Sequence, residues 1–227
     1  MALYTNLGKT SDSFAEMMKR FGVVTVMNNA KVFEVPGDLD KKTAYQIYQD
    51  YGVGTKNTPL CTLDTLKIAN VTVDGPSKTV TGGQYSNPLI KFGKSARLEM
   101  QDALGNHKAL EALAGGISEY TDAVNGEATV GLHFGEDFSG PKMIVGDSFF
   151  ISQKTGAQVK VGIIFYQFLP DSLLNLAQDA EGDATVFDLN GDLLSTEILV
   201  GTAADGKTEK HSVFYSIVDP SHVEAGE

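Results

Sequence analysis

Tryptophan is absent from the 227 residues, proline is scarce at 7, and Cys61 is the single cysteine. One cysteine excludes an internal disulfide framework and a cysteine-rich metal site. Within the apolar-leaning run Leu60-Cys61-Thr62-Leu63 it reads as a small buried side chain rather than a nucleophile. Basic residues are in deficit: 18 Lys and Arg against 29 Asp and Glu give a formal net charge of −11. A chain of that sign repels polyphosphate, which disfavours a nucleic-acid-binding role. No run approaches the ~20 apolar residues of a membrane-spanning helix. Met1-Ala2-Leu3-Tyr4-Thr5-Asn6 lacks a basic stretch leading into an apolar one. The expectation is a protein with no membrane partner, folded in a cytoplasm.

Catalytic signatures are missing too. His107, His133, His211 and His222 are scattered with no ligand spacing between them, and a lone strand histidine such as His133 reads as structural or exposed. Neither a nucleophile elbow nor a phosphate-binding loop occurs. Gly52-Val53-Gly54 lacks the third glycine of a dinucleotide fingerprint and follows a helical stretch, not a strand. Asp188-x-Asn190-x-Asp192 has the opening of a calcium loop, but Leu193 stands where that loop needs glycine and Leu199 where it needs an acid. The expectation is a non-enzyme with no cofactor and no metal.

What is present is strand and turn. The 24 glycines punctuate β-prone runs, and a hydrophobic content of 42% suffices for a packed core. Runs at Val23–Val26, Ile68–Val73 and Ala96–Met100, and most of Thr129–Val218, predict a mainly β protein. The expected form is a sandwich or barrel with about three short helices and a long projecting hairpin. The first helix carries Phe14, Met17, Met18 and Phe21 at i, i+3, i+4, i+7, a packing or assembly stripe behind capping-box spacing at Ser13 to Glu16. A second, capped by Asp38, turns Ala44, Ile47, Tyr48 and Tyr51 to one face. A third starts at Asn106, points Leu110 and Leu113 inward and ends at Gly115-Gly116.

The most informative stretch is Asp171 to Leu194. A two-residue Gly182-Asp183 loop predicts a hairpin in which paired numbers sum to 365. One face then carries Leu174, Leu176, Phe187, Leu189 and Leu193. The other carries Asn175, Asp179, Glu181, Asp188, Asn190 and Asp192. A second hairpin around Asp205-Gly206 would set Ile198 against Val213 and Thr196 against Tyr215. A third around Thr155-Gly156 would set Ile151 against Val159 and Phe149 against Val161. The Asp/Asn face suits either an ordinary outer surface or the lining of a water-filled channel.

Gln178-Asp179-Ala180-Glu181-Gly182-Asp183-Ala184-Thr185-Val186-Phe187-Asp188 resembles a segment of the tail tube (major tail) proteins of bacteriophages that infect Gram-positive bacteria. Thr79-Val80-Thr81-Gly82-Gly83, Lys91-Phe92-Gly93-Lys94 and Arg97-Leu98-Glu99-Met100-Gln101-Asp102-Ala103-Leu104-Gly105 are similar to such virion proteins as well. The resemblance covers roughly residues 75–195. It implies a β-sandwich whose copies form hexameric rings that stack into a hollow tube in the virion tail. Tape measure and terminator proteins are then partners, and DNA is a transient cargo. It also implies a negative lumen, for which Asn175, Asp179, Glu181, Asp188, Asn190 and Asp192 are the candidate lining. Residues 59–227 would form the tube domain, and residues 1–58 an arm or decoration packed on the core. Two alternatives remain: another virion component (capsid or connector), and a β-sandwich binding module, which the absence of tryptophan weakens.

Overall fold

The computed structural model describes residues 22–24, 27–54, 56–63, 66–75, 77–79, 89–91, 93–102, 107–122, 127–135, 139–152, 158–171, 175–177, 186–202 and 208–221. The chain is mainly β. β1 (Gly22–Val24), β2 (Asn28–Glu34), β3 (Cys61–Leu63), β4 (Leu66–Asp74) and β7 (Ser95–Asp102) join β10 (Lys142–Ser152), β11 (Gln158–Pro170), β12 (Asn175–Ala177), β13 (Val186–Leu193) and β16 (Tyr215–Val218) in one antiparallel sheet. Its main path runs β3-β2-β10-β11-β13-β7-β4, and the end strands β3 and β4 do not pair with each other among the described residues, so the sheet is open and sandwich-like. Three separate two-stranded ribbons are formed by β5 (Ser77–Thr79) with β6 (Leu89–Lys91), β8 (Gly116–Asp122) with β9 (Glu127–Phe134), and β14 (Thr196–Thr202) with β15 (Thr208–Val213).

The central strands are buried on both faces, so they read as continuous apolar runs instead of alternating ones. On β11, Ile163 and Phe165 enter one core while Ile164 and Tyr166 enter another. The first core also takes Leu98 and Met100 from β7 and Leu189 and Leu193 from β13. Both halves of the sheet therefore close on one core, and the fold line is the short seam Phe168↔Leu193, Leu169↔Asp192, Pro170↔Gly191. Gly191 permits the seam, because a Cβ there would lie 2.2 Å from the Leu169 carbonyl oxygen. Cys61 is buried in this core.

The second core lies under helix α1, which starts at Ala44–Ile47 and widens into a π-helical stretch over Tyr48–Val53. Ile47 and Tyr48 are fully buried, with Ala44 and Tyr51 packed beside them, so this helix presents the face its spacing implies. Its cap is Thr43 and not Asp38: Thr43 and Gln46 form a reciprocal capping box. Asp38 instead opens a 3-10 turn over Leu39–Lys41 without a side-chain cap, and pairs with Lys42. Helix α2 (His107–Ala114) buries Leu110 and Leu113, and Gly115 at φ 71° ends it in the left-handed region that glycine adopts without strain. Asn106 and the stripe Phe14, Met17, Met18 and Phe21 lie outside the described residues.

Residues 28–53 are not an added arm. β2 pairs with β10 and β3 inside the main sheet, and its Ala30 and Val32 belong to the first core. A hydrophobic strand lying between two other strands buries both its edges and its apolar face, so it is part of the domain that residues 59–227 were expected to form alone.

Three expected registers are corrected. β12 and β13 pair as Asn175↔Asp188, Leu176↔Phe187 and Ala177↔Val186, two residues from the arrangement a Gly182-Asp183 loop dictates. Residues 178–185, with that loop, lie outside the described residues. β14 and β15 pair as Thr196↔Val213 and Ile198↔His211, also two residues off, with a bulge between Leu199 and Gly201. β10 and β11 pair as Ile151↔Gln158 and Phe149↔Lys160, one residue off.

Candidate functional site: a polar wall on the open half-sheet

β4, β7 and β13 each cover the first core with one face and turn the other away from it. On β7, Ala96, Leu98 and Met100 are buried, while Ser95 and Glu99 are exposed and Arg97 and Gln101 half-exposed. On β13, Leu189 and Leu193 are buried, Asn190 is half-buried and Asp192 exposed. On β4, Val71 packs on the core while Thr72 and Asp74 are exposed. Register aligns these outward residues in rows: Asp74 beside Ser95, Thr72 beside Arg97 beside Asp192, and Glu99 beside Asn190. Leu169 closes the row of Asp192 at the seam.

Asn190 and Asp192 thus stand on the wall together. Asn175 and Asp188 are backbone partners of one another, and Asp188 is also in register with Gln101. Asp179 and Glu181 lie outside the described residues. Sequence reasoning missed the contributions of β4 and β7. The signal was there, because Asn70-Val71-Thr72-Val73-Asp74 and Ser95-Ala96-Arg97-Leu98-Glu99-Met100-Gln101 alternate as strictly as the hairpin does.

The charge on the wall is acidic, with Asp74, Glu99 and Asp192 against one base, Arg97, among the described outward side chains of these three strands. Arg97 Nη2 donates to Asp171 Oδ2, and Nη1 lies 3.5 Å from Asp192 Oδ1. The Asp171 hydrogen bond, with the nearby Asp192 and Glu99 charges, raises the guanidinium above its ordinary pKa. Asp171 follows β11 and is fixed by its own amide, which donates to the Asn190 carbonyl at 2.7 Å.

Both lateral borders of this half-sheet are open among the described residues. β4 pairs only with β7, and β12 only with β13. A strand edge of this kind presents unpaired N–H and C=O groups that accept a further strand.

An open cleft of about 190 Å³ is lined by Asn29, Lys31, Gly52 and Asp147 among others. Asp147 there accepts from the Tyr48 hydroxyl and pairs with Lys160 at 3.0 Å, while Lys31 Nζ donates to the Gly52 carbonyl at 2.8 Å. Burial raises the Asp147 carboxyl, but hydrogen bonds from Tyr48 and Lys160 outweigh it and leave the group below its ordinary value. His133 and His211 are exposed and sit beside Glu119 and Glu209 at 3.1 Å and 2.9 Å. Among the described residues no group of three His, Cys, Asp or Glu is placed to hold a metal ion, and no helix is long and apolar enough to cross a membrane. No family model matches the chain, and no curated protein is similar enough to match it.

Proposed function

We propose that the protein is a structural virion protein whose copies assemble into rings, stacked as the tail tube of a bacteriophage, with the polar wall lining a negative conduit for DNA. The observation that carries this reading is the wall itself: a solvated, acid-rich sheet face with a hydrophobic core behind it and an open strand edge on either side. Joining the β4 edge of one copy to the β12 edge of the next is a heterologous contact, which closes into a ring when its rotation permits. In such a ring every acid of the wall is repeated around a common lumen. Repulsion between charges is screened over about 8–10 Å at physiological salt, so a lumen little wider than duplex DNA keeps its wall within reach of the phosphates. Of the four segments similar to tail tube proteins, Arg97 to Gly105 begins on β7 and Gln178 to Asp188 ends on β13, two of the strands that build the wall.

The reading further places hexameric rings, tape measure and terminator partners, and a location in the virion tail. It leaves the chain without catalytic work. Negative-stain electron microscopy of the purified protein, paired with sedimentation velocity, tests it. Rings or tubes are expected as concentration rises. Compact monodisperse particles at every accessible concentration would refute it and favour a β-sandwich binding module.

A further inference from the structure

We propose that Arg97 is a masked arginine: Asp171 and Asp192 occupy the two ends of its guanidinium so that the wall offers no phosphate-binding fork to passing DNA. The inference rests on the tube reading above and names the residues that keep the wall from being adhesive.

The chemistry that makes the mask necessary is specific to arginine. A guanidinium is planar, permanently charged and shaped to take a phosphate with two parallel N–H donors. An unscreened copy on each subunit would turn a repulsive wall into a band of phosphate sites, where every contact releases counterions. The structure sets Nη2 on Asp171 and turns Nη1 to Asp192, so the two terminal nitrogens face different carboxylates. The clamp spans three pieces of sheet. Arg97 is on β7, Asp192 is its cross-strand partner on β13, and Asp171 comes from the end of β11. The arginine and both acids remain partly exposed, at 41%, 32% and 64% of their side chains. Ion pairs at that exposure contribute little to stability. What the pairing changes is what the arginine can offer to a polyanion.

The test uses the full chain assembled in the presence of a short DNA duplex. The assemblies are pelleted, treated with nuclease, and the protected DNA is measured at several salt concentrations. Asp171→Asn with Asp192→Asn keeps the shape but replaces one oxygen of each carboxylate with an amide NH2 and removes both charges, so the charge-assisted hold on the guanidinium is lost. Assemblies of this double variant are expected to retain duplex that the unaltered protein does not. With about four freed arginines in contact, retention falls roughly a hundredfold between about 50 and 200 mM salt. Adding Arg97→Gln is expected to abolish the gain, which a merely structural role for the arginine would not do.

If the double variant forms tubes that protect no more DNA than the unaltered ones, the mask is refuted while the tube reading stands. Equal retention with and without Arg97→Gln refutes it too, since another base is then responsible. If the unaltered protein forms no rings or tubes, the tube reading fails, and the mask with it. Should the double variant fold but not assemble, Asp192→Asn alone is the second variant. A smaller, salt-sensitive gain supports the mask, and failure to assemble there as well places the acids in a subunit contact and overturns it.

Discussion

The Tyr48 ring presses on Gly162 so closely that a Cβ at that position would lie 2.2 Å from Tyr48 Cε2. Gly162 is the cross-strand partner of Asp147, and the Tyr48 hydroxyl reaches past the glycine to that carboxylate. The gap left by one missing side chain thus seats the helix, and the neighbouring strand supplies the acceptor. Gly162→Ala is expected to lower stability by about 1–3 kcal/mol, as overpacking in a filled core does. The midpoint of urea unfolding reads the change, and an unaltered midpoint would mean that α1 is not seated as described.

The same contact makes stability depend on pH at both ends. Burial, reinforced by the Asp147 hydrogen bond and charge, raises the Tyr48 hydroxyl well above its ordinary pKa. Its stabilisation is complete below the unfolded value of about 10 and is lost as pH rises toward the folded value. Asp147 is shifted the other way, so its share is present above the unfolded value of about 4 and is lost as pH falls below it. Tyr48→Phe is expected to cost about 1.5–3 kcal/mol, the range for a hydrogen bond to a charged group. The difference from the unaltered protein is expected to hold steady from about pH 5 to pH 9 and to shrink above about pH 10. Denaturation curves across pH measure it, and a difference that grows in alkali would contradict the account.

Gly191 is the more demanding of the two glycines. The atom its Cβ would meet is the backbone oxygen of Leu169, which cannot rotate away, whereas at Gly162 the obstacle is a side chain. Gly191→Ala is therefore expected to cost more than Gly162→Ala, about 3 kcal/mol or above. Hydrogen exchange locates the damage: the Asp171 and Leu194 amides, bonded to Asn190 and Gln167 across the seam at 2.7 Å and 2.8 Å, are expected to lose protection first.

The sequence made faces more legible than registers, and the reason is the period of a strand. A slip of two residues preserves which side chains share a face. Leu189 and Leu193 fall in the core and Asn190 and Asp192 on the wall although β12 and β13 are paired two residues from expectation. That slip accompanies unequal spacing along the chain: four residues, 171–174, separate the seam from β12, against two, 189 and 190, on β13. The slip of one at β10 and β11 had no alternation to prevent it, since both strands are buried on both faces. The wall as a whole was hidden because β7 meets β13 across almost a hundred residues of chain, and no turn dipeptide records a pairing of that range. The helix cap, by contrast, was readable in Thr43-Ala44-Tyr45-Gln46, which has the spacing of a capping box.

If assembly proceeds through the open strand edges, a charge on an edge must block it. Val73 lies near the end of β4 and is 43% exposed. Val73→Lys is expected to change monomer stability by no more than about 0.5 kcal/mol, as exposed substitutions do. A lysine on an edge strand discourages further pairing, so the variant is expected to sediment as a monomer where the unaltered protein forms larger species. Normal assembly by Val73→Lys would remove the β4 edge from the contact.

The charge of the wall can be reversed without touching the core. Glu99 and Asp192 are both exposed and alternate with the buried Leu98, Met100, Leu189 and Leu193. Replacing both with lysine exchanges two acids for two bases on each copy and removes one of the partners that hold Arg97. The fold is expected to survive, with an unfolding free energy within about 1 kcal/mol of the unaltered protein, because neither side chain contributes to packing and the main cost is a like charge opposite Arg97. Assembly is expected to survive as well, since a lumen-facing side chain makes no contact with the neighbouring copy. What changes is adhesion: a basic band binds phosphates with counterion release, so retained duplex is expected to rise steeply as salt falls. Electron microscopy and nuclease protection on the same sample read both quantities. A variant that folds normally and no longer assembles would place Glu99 and Asp192 between subunits, and the wall would then be an interface instead of a lining. A variant that assembles yet ignores DNA at every salt concentration would place the wall on the outside of the particle.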